Sequence, residues 1–318
     1  MRRLLILPFV ALAACAKPAP APSAPLATAT LLTTIGDSTT MIESVAMFGG
    51  KLYTTDWNGR IWEVDPAAPT PKQVASLPHG GSYLGEVADS AGDLLIANAD
   101  SGIVWRVAKE RLGAADFDPK KDAQRFITGA GHANGITIAA DGHVWITGGD
   151  VDTLYHAGPN GGKAVAFAGG YSPILADTTM PVRGYVVNGV TFDSHGNAYT
   201  VNTGTGTVYK LEVKPDHTPG TITKLAESPT LVGADGITAG PGDTLYVDAN
   251  YRNAFVRVSP TGEVTELVSD SANTGVLHFP AELVRDGKTF YIANLNFGAG
   301  AAATAHRPGA SIAKVVLP

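Results

Sequence analysis

Cysteine is nearly absent. Cys15 is the only one in 318 residues. A lone cysteine excludes an intramolecular disulfide and a multi-thiolate metal cluster, so stability has to come from a buried core. Charge is sparse as well. Asp, Glu, Lys and Arg make up 16% of the chain and the net charge is −6. No stretch gathers basic residues, which argues against nucleic acid as a partner. Heptads and sustained 3.6-residue apolar periods are missing, so almost no helix is expected. Beyond the N-terminus no apolar run is long enough to cross a bilayer. Gly-x-Ser-x-Gly does not occur, which disfavours a serine-hydrolase triad.

What is present begins with a targeting pattern. Arg2 and Arg3 precede an apolar run over residues 4–11, and the segment ends Leu12-Ala13-Ala14-Cys15. Small residues close an ordinary secretory signal. Ending on Cys resembles the lipobox of bacterial lipoproteins, which implies cleavage before Cys15, lipidation of its thiol and a membrane anchor. The organisation read from this is a lipoprotein signal peptide over 1–14, lipidated Cys15 with a Pro/Ala-rich linker over 15–28, and one folded domain over 29–318. Such a linker is extended and spacer-like. The expected location is the cell envelope, facing the periplasm. Ala16, where an Asp would retain the protein, points to the outer membrane. An unlipidated secretory signal is the alternative.

The folded region is a repeat. Residues 188–211 read as three short strands separated by a turn at His195-Gly196-Asn197 and another over 203–206. The same unit begins at 43, 84, 134, 188, 235 and 280, at intervals of 41, 50, 54, 47 and 45 residues. Repeats of roughly 40–50 residues with three or four strands each mark propeller blades. Outer fourth strands are read over 71–76, 221–226 and 263–268. The sixth unit lacks one after its last strand, 311–317, and the orphan strand 29–35 can supply it. The fold class is therefore all-β, a six-bladed β-propeller closed by pairing of the N- and C-terminal strands. Two insertions interrupt it. Residues 109–124 are polar and read as holding a turn or two of helix, and 168–183 form a long loop. Lys51, Arg60 and Arg106 read as solvated blade edges, and the four Trp as packing between blades.

Asn-Gly and Asp-Gly pairs usually signal hairpin turns. That reading suits Asp141-Gly142, which joins two strands. It suits Asn134-Gly135, Asn188-Gly189 and Asp235-Gly236 poorly, because each stands where a chain enters its innermost strand. Innermost strands line the channel of a propeller. With Glu43 at the matching place in the first unit, two carboxylates and two amide oxygens converge, without Cys or a His pair. Hard oxygens suit Ca²⁺, or another divalent cation such as Mg²⁺. Four ligands leave coordination positions for water or substrate. The glycine after each polar residue lets backbones pass closely.

At these four residues the chain resembles the senescence marker protein (regucalcin), gluconolactonase and luciferin-regenerating enzyme family. Phosphotriesterases of the diisopropylfluorophosphatase type share that fold and metal pattern. The resemblance implies Glu43, Asn134, Asn188 and Asp235 as metal ligands, with Asp235 also as catalytic base or nucleophile. It implies a metal-dependent hydrolase of a lactone or related ester. The chain departs from the family at Glu43-Ser44-Val45-Ala46-Met47, where Pro and Trp are common. It also has no counterpart of the Arg and Glu that grip sugar lactones in animal members.

His132 and His278 lie two residues before a unit start and His79 five before, so each is a candidate for substrate contact or a base. A loop histidine bonded to backbone is the plainer reading. A small-molecule substrate and a monomer are expected. The rival readings are a non-enzymatic propeller lipoprotein that binds a ligand or protein at the envelope, and a strictosidine-synthase-like or sugar-binding propeller.

Overall fold

A computed structural model describes residues 26–78, 81–169, 187–271, 274–295 and 309–318. The expected signal peptide, Cys15, the expected linker up to residue 25, His79 and most of the 168–183 loop lie outside the described residues.

The first strand, β1 (Thr28–Thr34), stands apart from the sheet that follows it. That sheet holds β2 (Ala46–Phe48), β3 (Lys51–Thr55), β4 (Arg60–Asp65) and β5 (Ala68–Ser76). The second group is β6 (Tyr83–Ala88), β7 (Leu94–Asn98), β8 (Ile103–Val107) and β9 (Ala123–Thr128). Next come β10 (Ile136–Ile138), β11 (Val144–Thr147), β12 (Thr153–Gly158) and β13 (Gly161–Gly169). The fourth holds β14 (Val190–Phe192), β15 (Ala198–Asn202), β16 (Thr207–Val213) and β17 (Pro219–Glu227). The fifth holds β18 (Ala234–Ala239), β19 (Leu245–Ala249), β20 (Ala254–Val258) and β21 (Val264–Ser269). In the last, β22 (Pro280–Asp286), β23 (Thr289–Asn294) and β24 (Ser311–Val316) are joined by β1, in the order β1-β24-β23-β22. β1 runs antiparallel to β24 from Thr28 opposite Val316 to Thr34 opposite Ser311. Each group is an antiparallel meander.

The chain is all-β with almost no helix. One α-turn, Pro119–Asp122, is capped by the Asp118 side chain, and short 3₁₀ turns account for the rest of the described helix. No described helix is long and apolar enough to cross a membrane.

Two findings differ from the sequence expectation. The second and third groups share one eight-stranded sheet, because β13 runs parallel to β9 over Gly162 opposite Ile127 and Lys163 opposite Thr128. Gly161 makes this approach feasible: a Cβ there would sit 2.3 Å from the Phe126 carbonyl oxygen. The basic side chains are also less free than edges require. Arg60 Nε pairs with the buried Asp56 carboxylate at 2.6 Å, and Arg106 bridges Asp89 and Asp93.

Apolar burial knits each sheet to the next. Trp145, Leu154 and Phe167 of the third group pack on Val190, Ala198, Tyr209 and Leu211 of the fourth. Tyr246 and Phe255 of the fifth meet Phe290 and Ile292 of the sixth. Leu52 and Val64 of the first share a cluster with Tyr291 and Ile312 of the sixth. Burying side chains of this size contributes on the order of 1.5–3 kcal/mol each.

Candidate metal and substrate site

The inner strands β2, β6, β10, β14, β18 and β22 all line one cavity of about 220 Å³. They therefore surround a common axis. A repeated backbone device sets their spacing. Gly85 N–H donates to the Asn134 carbonyl at 3.1 Å, and Gly189 N–H to the Asp235 carbonyl at 2.9 Å. A Cβ on Gly85, Gly135, Gly189 or Gly236 would fall 2.2, 2.8, 2.5 or 2.5 Å from the carbonyl oxygen of Asn134, Asn188, Asp235 or Ala281. Each of these glycines thus abuts the residue that opens the next inner strand. These contacts leave no room for a side chain.

Threonines of the second strands fix the same segment from behind. Thr54 Oγ1 donates to the Ser44 carbonyl at 2.7 Å, and Thr200 Oγ1 to the Gly189 carbonyl at 2.8 Å. Thr147 Oγ1 accepts from Gly135 N–H at 2.7 Å. The polar residue before each such position is consequently held at the head of its strand.

Glu43, Asn134, Asn188 and Asp235 are all buried. Burial, then the charge of Asp235 and that of Glu282, push the Glu43 carboxyl well above its ordinary range, while the Asn134 and Trp57 side chains favour its ionised form. Asp235 is pushed up to about 7 by burial, against the Asn250 and Asn188 amides that favour its charge. Asn250 Nδ2 donates to Asp235 Oδ2 at 2.8 Å, and Asn188 Nδ2 donates to Thr203 Oγ1 at 3.0 Å. The four residues therefore share one neighbourhood: Glu43 feels Asp235 and Asn134, and Asp235 feels Asn188.

Two further carboxylates, Glu282 and Asp248, act on these residues, and a third, Glu86, lines the cavity without touching them; the sequence reading did not include the three. Glu282 lines the cavity and is pushed up to about 8, first by burial and also by Asp235. Glu86 lines it too and is raised to about 7 by burial. Asp248 is fully buried with neither carboxylate oxygen hydrogen-bonded; burial, Glu282 and Asp235 raise it well above its ordinary value. Glu86 directly follows Gly85, the glycine equivalent to Gly135 and Gly189, so its place was visible in the repeat. Among the described residues no Lys or Arg acts on Glu43, Glu86, Asp235, Asp248 or Glu282. So much uncompensated acid is costly unless it takes up protons or a cation.

An apolar cluster meets this site at Trp57, whose side chain reaches Glu43. Phe279, Ala281 and Leu295 cluster with Met41, Trp57 and Tyr251, and Tyr251 meets Phe279 edge-on at 5.6 Å. Trp57, read from sequence as packing between blades, packs on this cluster and also reaches the Glu43 carboxylate. His132 is half-buried with Nδ1 3.5 Å from Asp150 Oδ1. His278 is buried, and its backbone N–H donates to Asn294 Oδ1 at 3.0 Å.

A separate group that could hold a metal ion lies where the third and fourth groups meet: Asp141, His143 and His217. Asp141 makes the hairpin turn expected of it, accepting from His143 N–H at 3.0 Å with Gly142 at φ +86°. The two histidines are far apart in sequence, and no local motif announces them.

No family model matches the sequence, and no curated protein does. Solved structures do match in shape. A luciferin-regenerating enzyme superposes with a TM-score of 0.66 at 11% identity, over 91% of this chain and 95% of that one. A gluconolactonase from Xanthomonas campestris gives 0.62 at 14% identity, over 93% and 92%. Virginiamycin B lyase from Staphylococcus aureus gives 0.60 at 15% identity, over 92% and 100%. Likeness at these identities establishes the fold, a β-propeller used by enzymes of differing chemistry. Two of the three bear names from the family that the sequence resembles.

Proposed function

We propose that this chain is a six-bladed propeller closed by β1 against β24, with a divalent cation of the calcium class in its channel, and that it hydrolyses a lactone or related ester. One observation carries the reading: Glu43 and Asp235 are buried close enough for the charge of one to raise the proton affinity of the other, with no buried cationic side chain described near them. The donor set is two carboxylates and two amides, which fits a hard cation and fits zinc poorly. Glu43, Asn134, Asn188 and Asp235 would hold it. When bound, such an ion supplies positive charge where a carbonyl oxygen gains negative charge.

The chain's own residues supply the rest. Asn250 and Asn188 orient the Asp235 carboxyl and keep its proton affinity from rising further. Asp235 would also accept a proton from an attacking water. Trp57, Tyr251, Phe279 and Leu295 offer an apolar wall for the non-reacting part of a substrate and restrict water. The structural likeness to a gluconolactonase favours a lactone. The lipid anchor on Cys15 and an outer-membrane location facing the periplasm complete the proposal; Cys15→Ser should release the protein from membranes.

The test is hydrolysis of a panel of lactones and aryl esters, with and without chelator. Chelator-sensitive turnover that Asp235→Asn abolishes supports the proposal. Cation binding without turnover of any substrate favours the ligand-binding propeller instead.

A further inference from the structure

The sequence predicts one cation site, in the channel. The outer seam between the third and fourth strand groups carries a different donor set. There the Asp141 carboxylate faces two imidazoles at once: Oδ2 lies 2.7 Å from His217 Nε2, and Oδ1 lies 3.4 Å from His143 Nδ1. One ligand atom from each of the three residues falls within 4.8 Å of the others. The two rings stack at 3.7 Å between centroids.

We propose that Asp141, His143 and His217 form a second metal site, for a borderline divalent ion such as Zn²⁺ or Co²⁺, that ties the two strand groups together. The chemistry of the donors selects the ion. Two imidazole nitrogens and one carboxylate oxygen suit Zn²⁺ and its neighbours, whereas Ca²⁺ prefers oxygen alone. In the metal-free protein a hydrogen bond holds His217 Nε2 to the Asp141 carboxylate, and a cation would take the place of its proton.

Three features of the surroundings favour this. His217 stands at φ +59°, a conformation few non-glycine residues adopt, at the tip of the β16–β17 hairpin. The strained turn delivers its side chain across the seam to a residue 76 positions earlier. His156 lies beside both rings, 5.9 Å from His143 and 5.7 Å from His217, and stacks on Trp145 at 5.0 Å. It brings a third imidazole to the seam. Finally, a cavity of about 400 Å³ adjoins Asp141 and His217, with His195 and Lys214 also in its wall. Three protein ligands beside open space leave a fourth position for water or an external ligand.

The experiment titrates Zn²⁺ by calorimetry, and Co²⁺ by its visible absorption, into the protein with Ca²⁺ in excess. His217→Asn and His143→Gln are compared with the channel variant Asn188→Ala; Asn tolerates the left-handed turn. The expected result is one Zn²⁺ per chain, with imidazole-type Co²⁺ bands. Each histidine variant should weaken binding by about tenfold or more while keeping the wild-type circular dichroism, and Asn188→Ala should leave it unchanged. Zn²⁺ binding that both histidine variants retain, or that Asn188→Ala removes, overturns the proposal, as does a wild-type protein that binds no Zn²⁺.

Discussion

Asn250 Nδ2 donates to Asp235 Oδ2 at 2.8 Å, and both side chains are buried. The pair spans the fifth inner hairpin, from the head of β18 to the residue just past β19. The bond favours the ionised carboxylate, so removing it should push the Asp235 proton affinity up. Asn250→Ala is expected to move the acid limb of the kcat/KM profile toward higher pH by about one unit and to weaken cation binding. An unchanged profile would show that the contact is only structural.

Stability of the cation-free protein should fall as pH rises. Glu86 and Glu282 have folded values of about 7 and about 8, against 4.5 for an ordinary Glu. Between those limits the folded state holds more protons than the unfolded one. Their contribution is complete below about pH 4.5 and is lost as pH climbs through the folded values. Tm of chelator-treated protein should therefore drop between about pH 5 and pH 8. Glu86→Gln, which removes one titration, should flatten that fall. A Tm that rises over the window would contradict the buried-acid account.

The close approach of inner strands predicts a contrast between two glycines. A Cβ on Gly189 would meet the Asp235 carbonyl oxygen at 2.5 Å, where only backbone could yield. Gly189→Ala should cost about 1–3 kcal/mol by overpacking and should disturb cation binding. Gly158 has nothing within 4 Å of its would-be Cβ, and Gly158→Ala should stay within about 0.5 kcal/mol. Denaturant unfolding of the two variants checks this; equal costs would contradict it.

Removing residues 26–34 takes away β1 and exposes the edge of β24. Unpaired edges lose stability and invite association. The truncated protein should unfold at a lower temperature and aggregate more readily, as read by calorimetry and light scattering. Unaltered stability would rule out closure by this strand.

Much of the strand order was legible because alternation and turn residues are local signals. The expected spans 71–76, 221–226, 263–268 and 29–35 fall on or within a residue of β5, β17, β21 and β1. The outer strands β9 and β13 were not read. β9 begins at the end of a charged insertion, and β13 is rich in Gly and Ala, so neither shows a strong apolar alternation. At the channel, the Asn-Gly and Asp-Gly openings could be aligned through the repeat. Glu282 stands where other units carry glycine, and Asp248 lies on a second strand, so alignment of openings alone passes over both. Trp57 packs between strand groups as expected, and its second role beside Glu43 shows only when the sheets are assembled. His143 and His217 approach only when two blades meet, and sequence offers no period for such a contact.

If the channel acids hold a hard divalent cation, calorimetric titration of Ca²⁺ into chelator-stripped protein, wild type against Asp235→Ala, should reveal it. One tightly bound ion per chain is expected in the wild type, and none in the variant. Binding of equal affinity in both proteins, or none in the wild type with either Ca²⁺ or Mg²⁺, would contradict the proposed site.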